Sequence, residues 1–416
     1  MKRLALALLL LAGAAPAAEP EPAPQALKKV PADGDHHLVK CKAGTYWIAI
    51  PEDIDPKKPT RTILWCHGSN MNGQWYVKAL QTAGYGKSEI LIGPNGHHKV
   101  RDWQYNFNAP NYDTRLAYAI LDDVGKRYKL GQVYVGGHSQ GAYYTFRIVL
   151  SKPERFAGAI PFAGGLLLGL DPKSAAFRKG KPGPAFAIIH GEVDPVVDPS
   201  LSDWAYEMFL KADYPCVRYV HLKNHNHWWP GPGVGPHAIV EPGLPEEQLQ
   251  PVTWRTIQWV LAVTSEDPAA LLATADELLS AGRGGDALFC VERAKRFKGD
   301  AGETAELRTK ILEKGKEHAA AWLERMRGDK SGGWAADLYE FRDAWARVPT
   351  VAPVMKQLAL LRKKHVPQAA KQNRKAWKHA RKGKKDKARP LFRKTVDECF
   401  TAYEYARPAA RWLAKN

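Results

Sequence analysis

The sequence predicts an α/β fold followed by an all-α region. Three observations carry that reading. Between about residues 38 and 264, short apolar runs of strand character alternate with segments of helical period. Beyond about Thr264 the alternation stops, and only helical periodicity continues. Within the first part, QVYVGGHSQGAYYTFRIVL (132–150) passes from strand to helix through a serine flanked by glycines. Apolar strands separated by helices indicate a mostly parallel sheet with helices on both faces. A chain of 416 residues has room for about two domains.

The chain opens with Lys2 and Arg3, an apolar run from Leu4 to Ala12, and Ala15-Pro16-Ala17. That order is the charged, apolar and small-residue sequence of a secretory signal, so residues 1–17 are expected to be removed on export to the periplasm or beyond. The run is too short to span a bilayer, and no later apolar stretch is long enough to cross one. Residues 18–37, rich in Ala, Pro and Glu, read as a disordered linker. The α/β domain is expected over 38–264. Its strands are expected at Thr45–Ile50, Thr62–Cys66, Glu89–Ile92, Gln132–Gly136, Gly158–Phe162, Ala185–His190 and Val217–Leu222. Helical periods fit 111–128, 140–150, 202–212 and 247–262.

Residues 265–416 form the second domain. Ala275, Gly282, Ala287, Val291 and Ala294 share their spacing with Ala376, Gly383, Ala388, Phe392 and Thr395. Small residues at these offsets let two antiparallel helices meet around a Gly-marked turn, as tetratricopeptide-type repeats do. Charge separates the halves as well. The whole chain carries a formal +18, most of it after residue 264, and residues 371–394 hold twelve Lys and Arg against the single acid Asp386. The plain reading is a solvated helix face; the sharper one is a surface for a protein or anionic-polymer partner. No nucleic-acid motif is present, and export makes nucleic acid the least expected partner. The five cysteines (41, 66, 216, 290, 399) are too sparse for a disulfide framework. Cys66 reads as a buried small hydrophobe, and Cys290 with Cys399 is the pair that could bridge.

In a sheet of this kind ligands bind beyond the carboxyl ends of the strands, so the segments after each strand are where chemistry is sought. Gly137-His138-Ser139-Gln140-Gly141 is a G-x-S-x-G turn: a serine on a strained strand-to-helix corner leaves space only for glycine on either side. The Gln140 N–H, at the start of a helix, lies where an oxyanion would form. After the strand at 62–66 comes His67-Gly68-Ser69-Asn70, whose Ser69 N–H is the expected second donor. After the strand at 185–190, Asp194 is the expected acid, with Asp198 the second choice. After the strand at 217–222, His227 is the favoured base and His225 the alternative, while His221 lies within the strand. The His-x-His pair also raises a metal site, but the loop supplies no third ligand. Order along the chain is then Ser139, Asp194, His227.

Residues 40–264 resemble the α/β-hydrolases, most closely the secreted esterase group of polyhydroxybutyrate depolymerases and feruloyl or acetyl-xylan esterases. The matching stretches are HG (67–68), DWQYNF (102–107), VYVGGHSQGA (133–142), PERFAGAIPFAGG (153–165), HGEVDPVV (190–197) and HWWPG (227–231). In that group the catalytic histidine precedes a Trp-Pro-Gly element, which is the position of His227. His138 in the elbow and Asn226 before His227 depart from the group's usual residues, and residues 265–416 lie outside it. The resemblance implies a carboxylic ester hydrolase working through a Ser-Asp-His triad and an acyl-enzyme, with no metal or organic cofactor.

Aromatic residues crowd the same loops, and Trp75, Trp103 and Trp228 are the candidate substrate-binding walls. Only residues 164–184 separate two neighbouring strands, too few for a helical lid, so an open cleft for short acyl groups or polymer-borne esters is expected. Two other classes share these residues: an exported serine peptidase, and an interaction protein with a vestigial hydrolase domain.

Overall fold

The computed structural model describes residues 25–26, 36–69, 71–96, 112–167, 169–178, 181–192, 194–222, 225–227, 252–299, 302–328, 334–399 and 401–415. The first half runs β1 (Gln25–Ala26), β2 (His36–Cys41), β3 (Gly44–Ala49), β4 (Thr60–Cys66), α1 (Gly73–Thr82), β5 (Glu89–Pro94) and α2 (Tyr112–Gly125). There follow β6 (Leu130–His138), α3 (Gln140–Ser151), β7 (Gly158–Phe162), α4 (Lys173–Ala176), the two-residue strands β8 (Phe177–Arg178) and β9 (Lys181–Pro182), β10 (Ala185–Gly191), α5 (Ser200–Lys211), β11 (Val217–Leu222) and α6 (Val252–Val263). Nine strands form one sheet in the order β1-β2-β3-β5-β4-β6-β7-β10-β11. From β5 to β11 the pairing is parallel, and β3 is antiparallel to both of its neighbours.

Every residue of β5, β7 and β10 is buried, as the apolar character of these strands requires when helices cover both faces. One face packs on α1 and α6 through Tyr76, Val77, Leu80, Trp254, Ile257 and Val260. The other packs on α2, α3 and α5 through Leu116, Ile120, Tyr144, Phe146, Ala205 and Phe209. Each fully buried aliphatic or aromatic side chain in these layers contributes about 1.5–3 kcal/mol.

The spacer expected over 18–37 ends sooner than that. His36 and His37 belong to β2, paired with Ala49 and Ile48, and Gln25–Ala26 lies beside Val39 and Lys40. The His36 ring against Trp47, 5.5 Å between centroids, gives this polar start of the strand something to pack on. The segment expected as a signal, residues 1–17, lies outside the described residues.

The second half is helical: α7 (Pro268–Ser280), α8 (Gly284–Lys298), α9 (Glu303–Gly328), α10 (Ala335–Trp345), α11 (Ala352–Ala380), α12 (Lys385–Glu398) and α13 (Tyr403–Lys415). The two stretches of matched spacing form the hairpins α7–α8 and α11–α12. Gly282 and Gly383 take left-handed φ values of 75° and 70° at their turns, a conformation that glycine adopts without a Cβ clash. Ala275, Ala287, Val291 and Ala294 are buried in one hairpin, and Ala376, Ala388, Phe392 and Thr395 in the other. The helices between them, α9 and α10, at 26 and 11 residues, are of different dimensions. All five cysteines are free thiols. Cys290 lies in the main core and Cys399 in a separate small cluster, so the pair that could bridge does not.

The two halves share one core, because the cluster under α6 continues through Leu271, Leu279, Val291 and Ile311 to Leu358. Buried charge seals the rest of the junction. Glu207 of α5 meets Arg342 at 2.5 Å and Arg362 at 3.2 Å. Burial works against its charge, but the two guanidinium groups hold its carboxyl below the usual range. Asp203, one helical turn earlier, takes Arg407 at 3.4 Å and Arg411 at 3.2 Å, both from α13. There burial outweighs the two arginines, and the carboxyl is raised above its usual range. Arg407 also reaches Glu192 at 3.2 Å, directly after β10, and the ring of His221 in β11.

Candidate active site

Ser139 stands between β6 and α3 with φ 55° and ψ −119°, a backbone conformation that a residue with a side chain holds only under strain. The glycines two residues away on either side are required by close approach. A Cβ on Gly141 would fall 2.2 Å from the Cys66 carbonyl oxygen, and one on Gly137 2.4 Å from the carbonyl oxygen of Gly141. The turn therefore presses directly on the end of β4. The Ser139 N–H is held by the Phe162 carbonyl at 2.9 Å, which fixes the corner to β7.

The Oγ of Ser139 lies 2.8 Å from Nε2 of His227. Nδ1 of the same ring lies 2.7 Å from Oδ2 of Asp194. The three side chains come from the turns after β6, β11 and β10, at the carboxyl edge of the sheet where such sites are expected. Asp194 is fully enclosed, and burial opposes its charge, but hydrogen bonds from His190 and His227 hold its carboxyl well below the usual carboxylate range. Being ionised, it can only accept. Nδ1 of His227 therefore carries the ring proton, and the Nε2 lone pair faces the Ser139 hydroxyl.

Four donors converge on Asp194. Oδ1 accepts from the N–H groups of Val196 and Val197 at 2.8 and 2.9 Å. Oδ2 takes His227 and, at 3.2 Å, Nε2 of His190. That nitrogen also faces the Val197 carbonyl at 3.0 Å, so it is a donor, and its ring is braced from behind by Ser202 Oγ at 2.7 Å. His138 performs a comparable task on the histidine side. Its Nε2–H donates to the backbone carbonyl of His227 at 2.7 Å, and its Nδ1 accepts from the Tyr76 hydroxyl at 2.7 Å. Burial first, and the neighbouring His227 second, push the pKa of His138 down to about 3, so the ring is neutral in ordinary buffers. The Gly68 N–H reaches the same Tyr76 oxygen. A continuous relay thus joins the turn after β4, the elbow and the histidine turn.

His67 shapes the turn after β4. Its Nε2 accepts from the Gly96 N–H at 3.0 Å, so its Nδ1–H donates to the Gly68 carbonyl at 2.7 Å. The two expected oxyanion donors stand at the starts of neighbouring segments. Gln140 opens α3 directly after Ser139, and Ser69 follows Gly68, whose Cβ position would lie 3.5 Å from the Cβ of Ser139. The alternatives raised from sequence stand elsewhere. His225 is buried, 6.2 Å from the Phe162 ring between centroids. Asp198 has its side chain largely in solvent, where it accepts from the Ser200 N–H at 2.9 Å. His221 packs on Tyr219. Trp75 is partly buried on the core, edge-on to Tyr76 at 4.7 Å. Trp103 and Trp228 lie outside the described residues. Among its described residues, the connection from β7 to β10 carries α4 and the small β8–β9 ladder. Among the described residues no group of three His, Cys, Asp or Glu is placed to hold a metal ion, and no helix is long and apolar enough to cross a membrane.

Sequence reasoning named Ser139, Asp194 and His227, which lie within hydrogen-bond reach of one another, but gave no role to His138 or His190 and counted Tyr76 only among the aromatics of the loops. His138 and His190 were visible as residues within the GHSQG and HGEVDPVV stretches; what they touch depends on how three strands lie side by side.

The strand order with its elbow after β6 is decisive. The fold is the α/β-hydrolase fold. The family described as Phospholipase/Carboxylesterase matches residues 108–229, which span α2 to the histidine turn. Similar solved structures include a thermostable esterase, 18% identical with a TM-score of 0.41, covering 55% of this chain and 63% of that one. An acetyl xylan esterase from Aspergillus awamori is 14% identical with a TM-score of 0.38, covering 47% of this chain and 94% of the other. A ferulic acid esterase from Anaeromyces mucronatus is 15% identical with a TM-score of 0.38, covering 49% and 88%. Among curated proteins, a histidine–tRNA ligase from Ruegeria sp. (strain TM1040) is 33% identical over 97 residues, 23% of this chain and 17% of that protein. The chain thus spans under two-thirds of the thermostable esterase and under a fifth of the ligase.

Proposed function

We propose that the protein is an exported serine carboxylic ester hydrolase. The observation that carries the reading is the unbroken line Ser139 Oγ, His227 Nε2, His227 Nδ1, Asp194 Oδ2, with spacings of 2.8 and 2.7 Å and the tautomer fixed by the ionised carboxylate. His227 takes the hydroxyl proton as Ser139 attacks the ester carbonyl, and Asp194 stabilises the imidazolium that forms. The N–H groups of Gln140 and Ser69 receive the developing oxyanion, each such donor contributing about 2.7–4 kcal/mol to the barrier reduction. His227 then returns the proton to the departing alcohol, and water hydrolyses the acyl-enzyme with the same ring as base. No cofactor enters these steps.

The short connection between β7 and β10 supports a cleft suited to short acyl groups or to esters borne on a polymer, with Trp75, Trp103 and Trp228 as its candidate aromatic walls. The charged, apolar and small-residue order at residues 1–17 supports export. The shared spacing of hairpins α7–α8 and α11–α12 supports a kinship of the helical half with tetratricopeptide-type units. The test compares the mature protein with Ser139→Ala on p-nitrophenyl acetate and butyrate, feruloyl and acetyl-xylan esters, and peptide p-nitroanilides. Turnover of short esters that vanishes in the variant is expected. Peptide turnover without ester turnover, or ester turnover that survives in Ser139→Ala, overturns the reading.

A further inference from the structure

Helix α13 has two working faces. One packs Ala409 against Ala376, Ala388 and Phe392 of the α11–α12 hairpin. The other carries Arg407 and Arg411, one turn apart on the helix surface, and reaches into the α/β half. What these arginines meet there brackets Asp194. Arg407 takes Glu192, two residues before the acid, at 3.2 Å, and Arg411 comes within 4.0 Å of Asp198, four residues after it. Both also hold Asp203 of α5.

Arg407 uses the two ends of one planar group. Its Nη2 binds Oε1 of Glu192, while its Nη1 binds Oδ1 of Asp203 at 3.4 Å and the ring of His221. A lysine, with its charge on one compact nitrogen, cannot span both carboxylates. Asp203 directly follows Ser202, whose Oγ lies 2.7 Å from Nδ1 of His190 and donates to the Gly164 carbonyl at 2.7 Å. His190 in turn donates to Asp194. The guanidinium therefore joins the turn that carries the acid to the helix that braces its second histidine. Such a tie matters because Oδ1 of Asp194 is bound by the N–H groups of Val196 and Val197 within its own turn. The carboxylate moves with that turn as a body, and its distance to His227 is set by what holds the turn from outside.

We propose that Arg407 is a positioning residue for Asp194, so that the helical half takes part in aligning the acid with His227. This role rests on the reading of Ser139, His227 and Asp194 as a hydrolytic triad, and two readouts on the full-length protein test it. Glu192→Ala removes the tie and leaves Asp203 both of its arginines. It is expected to lower kcat on p-nitrophenyl butyrate about tenfold with KM within about twofold, since small displacements at a reacting site are costly. It should also speed hydrogen exchange at the Val196 and Val197 amides. Glu192→Gln, which keeps an acceptor oxygen for Arg407, should retain most of the activity. Arg407→Lys should lose at least as much as Glu192→Ala, and adding Glu192→Ala to it should cost nothing further, because both break one interaction. Wild-type kcat in Glu192→Ala, unchanged amide exchange, or losses that multiply in the double variant would each overturn the proposal. Absence of ester turnover in the unaltered protein would instead defeat the hydrolytic reading, and the exchange rates would then decide alone whether Arg407 holds the turn.

Discussion

The elbow histidine His138 donates its Nε2–H to the backbone carbonyl of His227 across 2.7 Å. The residue before the serine thereby fixes the turn that carries the base. Replacing it with leucine keeps much of the volume and removes the donor. His138→Leu is expected to lower kcat about 10–100-fold, because displacements near 1 Å cost that much, while KM stays within about twofold. His138→Gln, which retains an N–H donor, should keep more of the activity. Steady-state kinetics on a short-chain ester decide it, and wild-type kcat in the leucine variant would remove any role for the relay.

The same ring makes stability pH-dependent. With a folded pKa of about 3 against about 6.5 in the unfolded chain, only the unfolded state takes up the proton between those values. Stability contributed by neutral His138 is complete above pH 6.5 and is lost as pH falls towards 3, by about 1.4 kcal/mol per pH unit. Urea titrations of wild type and His138→Gln from pH 7 to pH 4 should show a shallower decline in the variant. Parallel declines would contradict the burial argument.

Asp194→Asn should be nearly silent structurally and severe chemically. The amide oxygen can still accept from Val196 and Val197, but its NH2 group then faces the ring nitrogens that Oδ2 now receives. A donor facing Nδ1 of His227 forces the other tautomer, whose proton points at Ser139 instead of away from it. A fall in kcat of about 10⁴ is expected, with little change in melting temperature; pre-steady-state acylation rates measure it directly.

At the domain junction the partners of Asp203 are unequal. Losing both arginines, in Arg407→Met/Arg411→Met, leaves a buried carboxylate uncompensated and should destabilise by about 3–5 kcal/mol. Asp203→Asn removes the costly charge and leaves two arginines with partial access to water, and should cost far less. Denaturant unfolding of both variants tests the asymmetry, and equal losses would refute it.

Much of this was legible in the sequence because its signals are local. The elbow's glycine-serine-glycine pattern lies within five residues, and each apolar run of the sheet announces its own strand. Asp194 and His227 could be found by their positions after strands. The Trp-Pro-Gly element chose His227, and the packing of His225 near Phe162 agrees with that choice. Other features were not local. Tyr76 meets His138 across 62 positions of sequence, and nothing near either residue marks the other. Strand β2 starts in a histidine pair that reads as polar until Trp47 is beside it. The arginines of α13 read as one more basic helix until Asp203 and Glu192 are seen to receive them.

Those arginines carry a consequence for how the protein is made. A ribosome releases β10, α5 and β11 well before α13, so the acid turn first forms without Arg407 against Glu192 and His221. Until α13 docks, the carboxylate of Asp203 lacks both of the guanidinium groups that pair with it. The turn that carries Asp194 is thus tied, through Glu192 and Arg407, to the last helix of the chain.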